Sequence, residues 1–243
     1  MRKLTNLPRI KRLIKNAINE FELDLKGISV LTETASGPFV TTCLIAAIAG
    51  ADQVFAVTRD SRYGKIQETT EYTLRLARFL NVQNRITVSD ENPLKYARYA
   101  NIVTNLGFVR PINKTLIELL PRDSAISLMW EPWEFRQEDV DLEACKQKGI
   151  PVLGTCETHP QLQIFRYVGM LALKLLLEAD IEVFRSTILV VGSGYFGTEI
   201  IKVMKANEAK AILFDPLQDE ISHELEGFVC QCDAIVVAEH KAR

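Results

Sequence analysis

The chain has 243 residues, with 29 Lys and Arg against 31 Asp and Glu, a formal charge of −2. At 47% hydrophobic and 25% charged, it has the make-up of a globular protein long enough for one large or two modest cores without disulfide or metal staples. The near-neutral balance and the lack of basic runs argue against nucleic acid as the main partner. The most apolar stretch, 164–177, is interrupted by Arg166 and Lys174 and falls short of a membrane span.

The opening segment MRKLTNLPRIKRLIKNAINEF lacks the continuous apolar run and cleavage site of a secretory signal. It reads as a helix over 8–22, because Ile10, Leu13, Ile14, Ala17, Ile18 and Phe21 recur at helical spacing and form one stripe. Gly27 then introduces the first strand, ISVLTET. An alternation follows: helix 38–50, strand 53–58, helix 65–80, strand 85–88, short helix 93–100, strand 101–105, helix 112–120, strand 124–129, helix 137–148 and strand 150–155. Short Val- and Ile-rich strands separated by helices predict a parallel sheet with helices on both faces, an α/β domain of flavodoxin-like form over 1–156. The segment 157–186 holds a helix apolar on nearly every face, expected to be buried between domains.

A second domain is expected over 187–243. Ile188–Val191 read as a strand, followed at once by Gly192-Ser193-Gly194-Tyr195-Phe196-Gly197, a G-x-G-x-x-G run. Phe196, Ile200 and Met204 then recur at helical spacing, and Ala211–Phe214 form a further strand that ends at Asp215. Each type has a mechanical reason. Gly192 permits the tight turn, Gly194 lets the main chain approach a pyrophosphate, and Gly197 lets the helix pack close to the strand. Free N–H groups at the helix start favour an anion. Asp215, 23 positions beyond Gly192, suits the ribose 2′-hydroxyl and would repel a 2′-phosphate, so the expected cofactor is NAD rather than NADP. The bland alternative is a tight strand–helix turn without a ligand.

Other loops follow strands, on the edge where α/β proteins bind ligands. Ser36 and Gly37 precede a helix and suit a carboxylate or phosphate, or simply an N-capping turn. Arg59 follows the second strand, where a guanidinium suits an anion, or is a solvated turn. Trp130 and Trp133, the only two tryptophans, suit a cleft wall or the cover of a core edge. His159, two residues after Glu157, is a candidate for acid/base work, with a loop cap as the alternative. His223 and His240 are weaker. The five cysteines (Cys43, Cys145, Cys156, Cys230 and Cys232) are scattered, no metal cluster surrounds them, and they read as reduced thiols of a cytoplasmic protein.

Asp139 and Asp141 before a helix, Gly149-Ile150-Pro151-Val152, the apolar helix, the fingerprint, Asp215-Pro216 and the run from Cys232 to His240 occur in an order that resembles the D-isomer-specific 2-hydroxyacid dehydrogenases and formate dehydrogenases. The resemblance covers 124–243 well and 25–123 by architecture alone; S-adenosylhomocysteine hydrolase is a more distant comparison. It implies a substrate domain joined to a Rossmann-type NAD domain, hydride transfer on a small hydroxy or oxo acid, and a possible homodimer. The family's arginine and its histidine–acid pair fall after the strand that His240 ends, so 187–243 is expected to hold the first half of the cofactor domain only. Two other classes stay open. One is a ligand-binding module without catalysis. The other is a methyltransferase-like first domain, against which stand the single Gly37 in its loop and Arg59 where an acid would hold a ribose.

Overall fold

The computed structural model describes residues 6–134, 136–192, 194–216 and 223–238. The chain divides into two compact units, Met1–Thr155 and Cys156–Arg243.

In the first unit, α1 (Leu7–Glu20) starts where the Asn6 side chain accepts from Arg9 N at 3.0 Å. Its stripe lies shallow: Ile14 is buried, while Leu13 and Phe21 remain exposed. Six parallel strands follow, β1 (Ser29–Glu33), β2 (Gln53–Val57), β3 (Ile86–Ser89), β4 (Ile102–Thr104), β5 (Ala125–Ser127) and β6 (Val152–Leu153). Their connections carry α2 (Thr41–Ile48), α3 (Ile66–Leu80), α4 (Leu94–Ala97), α5 (Lys114–Leu119) and α6 (Leu142–Lys148).

Alternation along each strand makes two cores. Leu31, Val57, Val103 and Ile126 pack with α4, α5 and α6 through Ala97, Leu116, Ile117 and Cys145. Val30, Val54 and Ala56 pack on the other face with Cys43 and Leu44 of α2 and with Leu76 and Ala77 of α3. The parallel α/β class expected from the sequence is the class found. Its strand order is β3-β2-β1-β4-β5-β6, the doubly wound 3-2-1-4-5-6 order rather than the flavodoxin-like 2-1-3-4-5. The chain reverses direction across the sheet between β1 and β4, and that crevice is its switch point.

Two helices begin later than their periodicity predicts, each for a local reason. The segment 37–50 opens as a 3₁₀ turn, Gly37–Val40, before α2. The segment expected to start a helix at 137 is held extended at Val140 by a bridge to Ile112. Ile112 N donates to Asp139 O at 2.9 Å and Asp141 N to Ile112 O at 3.0 Å. Asp141 then caps α6 by accepting from Ala144 N at 2.9 Å.

The second unit begins with α7 (Ile164–Glu178), followed by β7 (Thr187–Val191), α8 (Gly194–Ala206), β8 (Lys210–Phe214), α9 (His223–Val229) and β9 (Ala234–Val237). Within its own unit, α7 packs through one side. Ala172 and Leu176 of α7 join Ile188, Val190, Ile200 and Met204 in a core, while Tyr167, Met170, Leu175 and Leu177 are exposed. The strand order is β8-β7-β9, so the third strand lies beside the first and not beyond the second. Asp233 fixes this arrangement: its carboxylate accepts from Thr187 N at 2.7 Å and its own N–H donates to Thr187 O at 2.9 Å.

Gly169 lets α7 approach α8, since a Cβ there would lie 2.5 Å from Glu199 O and 2.6 Å from Val203 Cγ2. Gly169→Ala is expected to lower stability by about 1–3 kcal/mol through overpacking, despite alanine's better helix propensity. Gly227→Ala in α9, where a Cβ meets nothing within 4 Å, should instead gain about 0.5–1 kcal/mol. Urea unfolding midpoints of the two variants should move in opposite directions.

Candidate functional site

The Gly-rich turn is built as its spacing predicts. Gly192 leaves β7 at φ 103 and donates to Phe214 O at 2.8 Å, which ties the turn to the end of β8. Gly194 starts α8 at φ 62 with open space where a Cβ would stand. A Cβ on Gly197 would run into the Gly192 carbonyl oxygen, with Leu213 Cδ1 at 3.0 Å. Only glycine permits the first turn of α8 to lie against β7. Ser193 lies outside the described residues. Tyr195 is exposed and stacks on Phe165 with centroids 4.8 Å apart, while Phe196 meets Phe165 edge-on at 5.3 Å. These aromatics pin the start of α7 to the start of α8. Asp215 is buried directly after β8, and β8 pairs with β7 from Thr187↔Lys210 to Val191↔Phe214. The acid therefore emerges next to the turn.

A second constellation occupies the carboxyl edge of the first sheet, at the β1–β4 switch point. Register places Glu33 and Asn105 on adjacent strand ends, continuing the Leu31↔Val103 pairing, on the face that also carries Val57. Glu33 is buried and its Oε2 accepts from Phe108 N at 2.9 Å. Arg110 bonds Asp139 Oδ2 through its Nη1 at 2.7 Å, and its guanidinium carbon sits 5.0 Å from the Trp130 ring centroid. Gly107 lies between the charges, for a Cβ there would be 3.7 Å from Glu33 Oε2 and 3.8 Å from Arg110 Nη2. The Ile112–Val140 bridge holds Asp139 in reach of Arg110.

Asn105 is fully buried, and its Oδ1 accepts from Met129 N at 2.7 Å. Its Nδ2, Arg110 Nε and Trp130 Nε1 are sealed from solvent and have no hydrogen-bond partner among the described residues. Thr58 Oγ1 is also buried without a partner, but one residue past Val57 it belongs to the opposite face.

Of the candidate site residues read from the sequence, Trp130 alone joins this constellation, while Asp139 figured there only in the family resemblance. Trp133 lies in the Pro132–Glu134 3₁₀ turn, and its side chain is outside the described set. Ser36 precedes the Gly37–Val40 turn without making a side-chain cap bond, and Gly37 sits at φ 65. Arg59 is exposed at the end of β2, where Thr58 and Arg59 replace the acid a methyltransferase-like ribose contact needs. The neighbouring acid, Asp60, is engaged elsewhere, accepting from Ile66 N and pairing with Lys65, each at 2.9 Å. His159 is exposed in a turn, its Nδ1 accepting from Gln161 N at 3.4 Å. His223 heads α9 with its side chain outside the described set, and His240 lies outside the described residues. Glu33, Asn105, Arg110 and Asp139 were not read from the sequence as a site. The available signal is an acid two positions after Leu31, on the strand face where alternation calls for an apolar residue.

All five cysteines are free thiols. Burial pushes the Cys43 thiol up to about 12 and that of Cys145 to about 11, whereas Cys156 and Cys230 are exposed. No cluster of His, Cys, Asp and Glu among the described residues forms a metal site, and no described helix is long and apolar enough to cross a membrane.

No family model matches the chain, and no curated protein does. Among solved structures it is similar to a dipicolinate synthase polypeptide from Bacillus halodurans, with a TM-score of 0.51 and 11% identity over 88% of this chain and 69% of that one. The corresponding dipicolinate synthase from Bacillus subtilis gives 0.48 and 11% over 89% and 68%. NAD-dependent formate dehydrogenase from Staphylococcus aureus, solved with NAD, gives 0.39 and 14% over 86% and 62%. The first of these likenesses carries the fold alone, a parallel α/β architecture.

Burial raises the Glu33 pKa above the usual 4.5, against the opposing Phe108 N–H and Arg110 charge. A carboxyl raised in the folded state holds its proton longer there than in the unfolded chain. Its contribution to stability is full below the unfolded value and is lost as pH rises through the folded one. Chemical denaturation of Glu33→Gln across pH 4 to 8 should therefore show a gain over wild type that grows with pH and then levels. An equal difference at every pH would contradict this.

Proposed function

We propose that the chain is an NAD-dependent oxidoreductase whose second unit holds the dinucleotide. The observation that supports this most is the contact between Gly197 and the Gly192 carbonyl, together with the open space at Gly194. A turn compressed in this way, with its middle glycine clear, leaves main-chain N–H groups free to meet a pyrophosphate.

In this reading, the Gly192-Ser193-Gly194 turn and the first N–H groups of α8 bind the pyrophosphate. Asp215 accepts from the adenosine ribose hydroxyl and disfavours a 2′-phosphate, which selects NAD over NADP. Tyr195 and Phe196 keep the start of α8 in place through Phe165. When bound, NAD supplies the nicotinamide carbon that accepts or returns a hydride. The substrate is a small hydroxy or oxo acid, held by the loops at the carboxyl edge of the first sheet, Ser36, Gly37, Arg59, Trp130 and Trp133 among them. A reducing, cytoplasmic setting suits the five free thiols, and a homodimer is the expected assembly.

Titration of NADH into the protein, followed by nicotinamide fluorescence, is expected to saturate. Asp215→Ser should weaken NADH about tenfold, the worth of one hydrogen bond, while narrowing the margin over NADPH. Gly194→Ala costs the fold only about 1–2 kcal/mol for its left-handed backbone but places a methyl group against the pyrophosphate, so NADH affinity should fall further than stability does. Absence of binding at millimolar NADH would overturn the proposal, and binding without turnover of any 2-oxo acid would reduce it to a dinucleotide-binding module.

A further inference from the structure

The polar constellation of the first unit calls for an occupant of its own. Three side chains of different chemistry, the Asn105 amide, the Arg110 guanidinium and the Trp130 indole, each bury an N–H without a partner. A buried donor left unmade is costly, and native structures hold few of them. Here Asn105 and Arg110 come from the loop after β4, at the switch point where open α/β sheets take ligands, and Trp130 comes from the loop after β5 and lies against Arg110. All three are donors, so the group that completes them carries acceptor oxygens.

Charge narrows the class. Arg110 is already balanced by Asp139, and Glu33 stands across Gly107 from it. An anion entering this space meets two carboxyl groups for one guanidinium. A monoanion is accommodated if Glu33 takes up one proton as it arrives, since the local charge is then unchanged. A phosphate dianion would need a second proton, and the other carboxylate, Asp139, already accepts from Arg110 Nη1. We infer that the β1–β4 crevice of the first unit is a binding site for a small monocarboxylate, held by Arg110 Nε, Asn105 Nδ2 and Trp130 Nε1, with Glu33 protonated in the complex. This rests on the proposed reading of these loops as the place that holds a small hydroxy or oxo acid, and deepens it by naming the groups that take the carboxylate; its test needs no dinucleotide.

The groups that face Glu33 are Phe108 N–H and Arg110 from the β4–α5 loop, with Asp139 behind Arg110. Of these, Glu33 is the one whose buried carboxyl resists ionisation. Monocarboxylate affinity should therefore fall tenfold per pH unit once Glu33 is ionised in the free protein. Because the three N–H groups are sealed, entry must displace the loop that carries Trp130, and both tryptophans of the chain, Trp130 and Trp133, report on that loop alone.

Acetate titrated into the full chain in a zwitterionic buffer, against equal chloride and without dinucleotide, should change tryptophan emission and saturate. Inorganic phosphate should not. Trp130→Phe removes one donor, leaves Trp133 as reporter, and should weaken acetate about tenfold. Glu33→Gln, which relieves a buried carboxyl, should bind acetate with no fall at higher pH. The inference is overturned if wild type gives no saturable change, if phosphate binds as tightly as acetate, or if Glu33→Gln keeps the wild-type pH profile. Should Trp130→Phe not fold, as its circular dichroism would show, the pH comparison of wild type with Glu33→Gln decides alone.

Discussion

A parallel strand pair cannot be closed by a tight turn, so each strand in this chain must be followed by a crossover. Every loop that leaves a strand therefore opens on the same edge of its sheet. In the first unit this gathers the segments after β1, β4 and β5, which lie far apart in sequence, and brings Glu33, Arg110 and Trp130 together. In the second it sets the Gly192 turn beside Asp215. Both constellations are products of strand direction before they are products of particular side chains.

The units use that constraint differently. Around the Gly-rich turn the chain removes side chains: Gly197 lets α8 lie against the Gly192 carbonyl, and Gly194 leaves open space where a Cβ would stand. Around Arg110 the chain adds side chains, and the geometry is held by bonds at a distance: the Ile112–Val140 bridge sets Asp139, Asp139 sets Arg110, and the Phe108 N–H sets Glu33. A site of the first kind tolerates little change in backbone. One of the second kind is sensitive to any partner in the relay.

This difference explains what the sequence discloses. The Gly-rich turn is legible because all of its logic lies within six consecutive residues and one acid a strand later. The relay is not, because Glu33, Arg110 and Asp139 become neighbours only when β4 inserts next to β1. Val- and Ile-rich strands look alike whichever neighbour they take, so strand order escapes composition as well. The position of β9 beside β7 is marked at its start by Asp233, whose side chain and main chain each bond Thr187 and have no periodic signature. Periodicity also overstates burial. The apolar residues of α7 outnumber those that its packing on α8 can cover, and in α1 most of a well-formed stripe stays near the surface.

The distribution of cysteine and tryptophan gives the two units separate spectroscopic identities. The thiols of the first unit, Cys43 and Cys145, are enclosed and slow to ionise, while Cys156 and Cys230 of the second are open to solvent. Both indoles belong to the first unit. A thiol-reactive acceptor dye added to the native protein thus settles on the second unit, and the intrinsic emission that excites it arises in the first. Energy transfer between them provides a ruler for movement of one unit against the other, built from the natural residues of the chain.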